Sequence, residues 1–143
     1  MSIYRRIVRP LLFQLPPDQA YAVGQLALRP SLPWRGAAAL AGLEVDDQRL
    51  RTRFAGVELP NPVGLAAGFD KNCELIGALS HLGFGFLTVG SIMPEPRTGN
   101  PVPRLVRYPE TESLADAMGV PSRGLEYCVA RLSRWNERKV PIF

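Results

Sequence analysis

The sequence predicts an α/β fold built on parallel strands, and one stretch between Asn61 and Ser91 carries that expectation. A short run of small apolar residues, Val63 to Ala67, suits a strand buried on both faces. Helical spacing follows, and a second strand-like run spans Phe86 to Val89. The residues that break these patterns gather just past each run: Gly68-Phe69-Asp70-Lys71 after the first, Gly90-Ser91 after the second. Two strands joined by one helix in so few residues make a parallel βα unit. Ligands of such folds collect at the carboxyl ends of the strands, where both clusters lie.

Within the unit, Leu75, Ile76, Leu79 and Leu82 fall on one face of a helix expected over residues 72–82, and Gly83 is placed to cap it at C′. His81, beside Leu82 and Gly83, is expected at the surface or boundary, without a role. Upstream, residues 1–29 read as two helical pieces. Ile3, Ile7, Val8, Leu11, Leu12 and Leu15 line one face of the first, Pro10 kinks or restarts it, and Pro17 sits at N1 of a second piece running to about Leu28. The first 17 residues hold Arg5, Arg6 and Arg9 and no acid, so the pair can lie on an anionic membrane surface; the alternative is a helix packed on its own domain. Residues 30–48, with Pro30, Pro33, Gly36, an Ala-rich run and then Glu44, Asp46 and Asp47, read as a linker with a helical turn. Arg51 to Phe54 and Val57 to Leu59, separated by Ala55-Gly56, read as a hairpin.

Beyond the central unit, residues 92–111 form a long proline-bearing connection, of a kind that is usually functional or disordered. Arg104 to Tyr108 fits a strand within it, which favours an ordered lid. From Gly124 on, Leu125, Cys128, Val129, Leu132 and Trp135 mark a core-facing helix, with Cys128 as a buried apolar residue. Val140 to Phe143 looks like the start of a third strand.

With 143 residues the chain is one domain or a piece of a larger one, and 46% hydrophobic content excludes a disordered tail. A net charge of +4 does not point to nucleic acid, and no run is long enough for a transmembrane helix. Cys73 and Cys128 form no CxxC, and His81 is the only histidine, which speaks against zinc and a disulfide framework. A reducing cytoplasm is the default compartment.

Chemically, Ala66-Ala67-Gly68 lets a flat ligand lie against bare backbone. Lys71 adds a cation at the same strand end and Ser91 a hydroxyl from the next. That combination suits an anionic planar cofactor better than a metal. The plain alternative is tight helix–strand packing with a solvated lysine. No GxGxxG is present, so a nicotinamide-type fingerprint is missing.

The strings GLAAGFDKN (64–72), GFGF (83–86), VGS (89–91), PEPRTGNPVPRLVRYPE (94–110) and MGVPSRG (118–124) resemble the membrane-associated, quinone-dependent class of dihydroorotate dehydrogenase, as does RPLLFQLPPDQAY (9–21). The resemblance implies the N-terminal portion of an FMN-dependent (β/α)8 barrel, about two βα units plus a third strand, preceded by a helical segment. It divides the chain into 1–44, helices and linker for membrane and quinone access, and 45–143, the first part of the FMN-binding barrel. The activity implied is oxidation of dihydroorotate to orotate with quinone as acceptor, in pyrimidine biosynthesis. The implied location is peripheral, on the cytoplasmic side of the inner membrane. By position, Ala67, Gly68, Phe69, Asp70, Lys71 and Ser91 fall on flavin contacts. Lys71, Asp116, Ala117, Met118, Gly119 and Val120 fall on substrate contacts, and Tyr21 and Arg107 on the quinone entrance. A complete barrel takes roughly 250 residues, so the family's catalytic serine and late phosphate-binding loops are expected beyond Phe143, and Val140 to Phe143 and the edge of the first strand are expected to lie unpaired.

The chain departs from the family pattern at several positions. Asp116 stands where asparagine is usual, Ala117 and Val120 replace an arginine and a phenylalanine, Tyr21 stands for a histidine and Cys73 for a glycine. An ionised Asp116 only accepts hydrogen bonds; facing an anionic substrate it costs on the order of 1–3 kcal/mol. Two alternatives follow: another FMN barrel enzyme with a different small anionic substrate, and a non-catalytic membrane-surface or interaction module. Arg97 and Arg104 also fit an ordinary solvated basic loop.

Overall fold

The computed structural model describes residues 4–43, 46–135 and 140–143. Ile3 and Glu44, used above, and the boundary at 44/45 lie outside the described residues. A π-helical turn (Tyr4–Val8) runs into α1 (Arg9–Phe13), with Pro10 at the second residue of α1, where the π-helical turn gives way to α-helix. Helix α2 (Pro17–Leu28) begins on Pro17 as its sequence requires. Of the predicted apolar face, Leu12 and Leu15 are half-buried, but Ile7, Val8 and Leu11 are exposed.

The linker expected at 30–48 is instead largely helix: α3 (Leu32–Ala41) and a 3-10 turn, Gln48–Leu50. Pro33 sits within the first turn, where it is tolerated, and Gly42 closes the helix in the left-handed conformation, φ 61°. Ala38 is buried, and Trp34 Nε1 donates to the Ala27 carbonyl at 2.8 Å, tying α3 to α2.

The hairpin is present as β1 (Thr52–Phe54) and β2 (Val57–Leu59), antiparallel, with positive φ at Ala55 and Gly56 giving the twist a two-residue turn needs. The central unit follows with shorter strands than expected. β3 (Gly64–Leu65) pairs in parallel with β4 (Phe86–Leu87), Gly64 opposite Phe86 and Leu65 opposite Leu87. Val63 is 62% exposed, so this strand is not buried on both faces. The expected third strand is reduced to a single parallel bridge of Ile142 with Leu87 of β4: Leu87 N–H donates to Pro141 O, Phe143 N–H to Leu87 O, and Val89 N–H to Phe143 O. Residues 141–143 are therefore paired on that side rather than left unpaired. Phe143 packs edge-on against Phe54 and Phe86, at 5.5 and 5.7 Å.

The helix expected over 72–82 is only α4 (Ile76–Leu79). Its start is delayed because the Asp70 carboxylate takes up the backbone amides of Glu74 and Leu75, at 2.9 Å each, while Cys73 stands at φ 57°, outside the helical region. Gly83 does not cap α4; it lies four residues beyond Leu79, at the end of the turns that follow. His81 is buried, at 2% exposure, not at the surface.

After the long connection, β5 (Leu105–Tyr108) pairs with β6 (Ser113–Asp116), a strand the sequence does not announce. Helix α5 (Leu125–Ser133) ends before Trp135. Its inner face is narrower than the spacing suggests: Cys128 is fully buried and Leu132 and Trp135 pack on the core, but Leu125 and Val129 are more than half exposed. The core joins Leu75, Ile76 and Leu79 to Leu87, Cys73 and Cys128. The architecture is an α/β arrangement of helices around small sheets, with parallel pairing at its centre.

Candidate functional site at the strand ends

The turns that follow β3 and β4 meet. Gly68 N–H donates to Gly90 O at 2.7 Å, and Gly90 N–H donates to Asp70 O at 3.0 Å. The two side-chain-poor clusters, far apart in sequence, thus form one surface, with Ser91 exposed beside them. Lys71 folds back so that Nζ donates to the Gly68 carbonyl. Gly68 adopts φ 102°, and a Cβ placed there meets nothing within 4 Å. Ala66, Ala67 and Phe69 are exposed. The residues present therefore fit a flat anionic group: open backbone, a cation at its edge, a hydroxyl at its side.

Asp70 plays a different part from its neighbours. It is 2% exposed and its side chain faces the backbone amides of 72, 74 and 75, so its carboxylate shapes the turn rather than the open surface. Gln25 of α2 reaches over the same turn, donating from Nε2 to Phe69 O at 3.0 Å.

Lys71 also borders a cleft of about 420 Å³ between α2 and the strand ends, with Tyr21, Asp18, Arg104 and Met118 among its walls. The Tyr21 ring centroid lies 5.6 Å from Lys71 Nζ. Burial lowers the Lys71 pKa; the Asp116 charge opposes that and the Arg104 charge adds to it. Burial raises the Tyr21 hydroxyl pKa, with Arg104 acting against it and Asp70 and Asp116 with it. Arg104, which by sequence also fits a solvated basic loop, has a side chain only 23% exposed and is central here. Its backbone N–H donates to Asp18 Oδ2 at 3.1 Å, and its Nε lies 3.5 Å from Asp18 Oδ1, close enough for an ion pair but misaligned for a hydrogen bond.

The segment 116–120 is fixed from within. Asp116 Oδ1 accepts the Met118 N–H at 2.7 Å, and Asn100 donates from Nδ2 to Ala117 O and from its backbone to Met118 O, at 2.8 and 3.0 Å. Met118 is buried and borders the cleft; Ala117 and Val120 are exposed and do not line it, and Gly119 packs against Asn100. Arg107 lies elsewhere, at a second cleft of about 600 Å³ between the opening helix and the β5–β6 hairpin. Its guanidinium donates to Leu15 O at 2.9 Å and Leu12 O at 3.4 Å and stacks 4.4 Å above the Phe13 ring. Of the residues expected at the quinone entrance, Tyr21 reaches Lys71, whereas Arg107 anchors α1. Sequence signals for Gln25, Asp18 and Arg104 are weak, since each is a polar residue whose partner is distant in the chain.

Parallel strands with a cationic, side-chain-poor surface at their carboxyl ends define an α/β protein of the ligand-binding kind. The family model described as Dihydroorotate dehydrogenase matches residues 49–143. Dihydroorotate dehydrogenase (quinone) of Methylococcus capsulatus is 42% identical over 141 residues, covering 96% of this chain and 40% of that protein. The enzyme of the same name from Thermus thermophilus is 44% identical over 138 residues, covering 92% and 38%. A crystal structure of DHODH from Eimeria tenella in complex with ferulenol superposes with a TM-score of 0.61 at 35% identity, over 79% of this chain and 34% of that one. The chain belongs to the dihydroorotate dehydrogenase family. It spans about 40% of the length of the curated relatives it matches.

Proposed function

We propose that this chain is the N-terminal part of a quinone-dependent dihydroorotate dehydrogenase, contributing the front of an FMN site and of a quinone passage. The observation that carries the reading is the Gly68–Gly90 hydrogen bond, which joins the two strand-end turns beside the Lys71 ammonium. In this reading the parallel strands 64–65 and 86–87, with the bridge of Ile142 to Leu87, open a (β/α)8 barrel, and 1–44 and 45–143 are its access segment and first barrel part.

A bound flavin supplies the two-electron acceptor that oxidation of dihydroorotate to orotate requires. The reaction removes two electrons and two protons from the substrate, and the quinone takes up both pairs to become the quinol. In this chain, Ala67, Gly68 and Phe69 offer backbone to the cofactor, Lys71 holds anionic groups of cofactor and substrate, and Ser91 donates or accepts at the side. Met118 walls the substrate side and Tyr21 the acceptor side. Exposed Ile7, Leu11 and Phe13, with Arg5 and Arg9 nearby in sequence, support attachment to an anionic membrane surface; the cytoplasmic side of the inner membrane is the proposed location on the family resemblance alone. No described helix is long and apolar enough to cross a membrane.

In the whole protein, Lys71→Met should lower dihydroorotate-dependent quinone reduction by about 10- to 100-fold, the worth of a charge-assisted hydrogen bond lost at the reacting end. A variant with wild-type turnover and wild-type flavin content would remove Lys71 from the site. A different small anionic substrate is the second reading. Asp116 favours it, because its charge bears on Lys71 where an uncharged amide is usual in the family. If Asp116→Asn leaves dihydroorotate binding no tighter, that reading loses its support.

A further inference from the structure

Glu74 lies three residues past Lys71, where the lysine turn becomes α4, and its carboxylate is the meeting point of three other segments. Oε1 accepts from the Tyr127 hydroxyl of α5 at 2.6 Å and from Arg123 Nη1 at 3.0 Å. Oε2 accepts from Nη2 of Arg29, the residue that ends α2, at 3.4 Å. The Glu74 side chain is only 14% exposed, although both arginines are 56% exposed.

The turn around it is gripped independently. Asn72 Oδ1 accepts the Arg123 N–H at 2.8 Å, and Arg131 reaches the carbonyls of Cys73 and Glu74 at 3.5 and 3.4 Å. Helix α2 therefore rests on an already rigid turn through two polar contacts, Gln25 to Phe69 O and Arg29 to Glu74.

We infer that Glu74 is a positioning residue whose carboxylate sets the register of α2, and with it Tyr21, against the turn that carries Lys71. A shielded carboxylate with several charge-assisted donors holds them more tightly than an exposed pair does. Burial alone would raise its pKa, but the hydrogen bonds from Tyr127 and Arg123 and the charges of Arg29 and Arg123 outweigh burial and keep it below the usual carboxylate value. Without the Arg29 contact the carboxyl end of α2 keeps its tie to α3 through Trp34 and Ala27 O but loses this hold on the turn. Helix α2 and Tyr21 then shift about the Asp18–Arg104 contact, while Asp70 and Arg131 still hold Lys71 in place. One wall of the cleft moves and the other does not. The kinetic consequence rests on the proposed function; the register itself does not.

The test uses the whole protein, Glu74→Gln and Arg29→Gln, a short-chain ubiquinone analogue, and a soluble dye as alternative acceptor. Each variant should raise KM for the quinone about three- to tenfold while dihydroorotate oxidation by the dye shifts less than about twofold. The double variant should be no worse than the poorer single one, because both ends of one contact are removed. Amide exchange in 17–28 should quicken in both, and in Arg29→Gln exchange in 70–75 should stay as it is. Equal losses with both acceptors, additive effects in the double variant, or unaltered exchange in α2 would overturn the inference. A wild-type protein that oxidises no dihydroorotate defeats the proposed function instead, and the exchange measurement then decides the register alone.

Discussion

Between Asp70 and Leu75 the chain binds itself: a buried carboxylate accepts backbone amides, Arg131 reaches two carbonyls, and Glu74 collects donors from both flanking helices. Between Tyr4 and Phe13 no described residue is buried, Ile7 and Leu11 are 56% and 59% exposed, and Arg107 stacks on Phe13 from the body of the protein. The first region is rigid because side chains replace the helix that its apolar spacing suggests. The second keeps helical geometry but leaves Ile7, Val8 and Leu11 exposed, while Arg107 covers the Phe13 ring. A site that must hold a cofactor's edge within a fraction of an ångström belongs on the first kind of segment. A segment that meets a soft, variable surface is well served by the second.

The contrast breaks most sharply at Asp70. Asp70→Ala leaves the Glu74 and Leu75 amides without their acceptor in a buried turn, which costs about 3 kcal/mol. The expected result is a melting temperature lower by several degrees and, if the proposed function holds, weaker flavin retention by the whole protein. Asp70→Asn, which keeps an acceptor oxygen, should fall between. An Asp70→Ala protein as stable as wild type would mean that the turn is held by its packing on the core alone.

Glu74 gives a smaller effect with a defined pH dependence. Its folded pKa lies below the ordinary 4.5, so its contribution is fully present above that pH and is lost as pH falls through the lower folded value. Acid unfolding followed from pH 6 to 3 should therefore be shallower in Glu74→Gln than in wild type. Parallel curves would show that the carboxylate is equally solvated in both states.

These two residues also mark what the sequence displays and what it hides. The parallel unit, the Ala55-Gly56 hairpin, Pro17 as a helix start and the run 104–108 as a strand are legible, because each depends on residues adjacent in the chain. Apolar spacing overextends α4, since Leu75 and Leu82 face the core without being helical and Asp70 claims the amides first. Prolines and a glycine disguise α3, whose helix rests on its alanines and on Trp34 reaching Ala27. Strand β6 is polar enough to pass for loop and becomes a strand through β5. At the site, Gly68, Lys71 and Gly90 show themselves by composition, but Gln25, Glu74 and Arg104 act through partners dozens of residues away, which spacing does not report.

The least disruptive change for the whole molecule is Arg107→Ala, and it tests the other side of the contrast. Arg107 donates to the carbonyls of Leu12 and Leu15, at the carboxyl end of α1, and covers the Phe13 ring. Its loss removes those contacts, a local effect of about 1–2 kcal/mol. Because no residue of Tyr4–Phe13 contributes to the buried core, that local loss has little to transmit. The global melting temperature should hold within about 2 °C, as expected when a change acts on a segment that opens independently. Proteolytic cleavage within 4–15 should quicken severalfold over the same interval. If the melting temperature instead falls as far as in Asp70→Ala, the opening helix and the lysine turn belong to one cooperative unit, and the division of labour between a rigid berth and an adaptable arm is wrong.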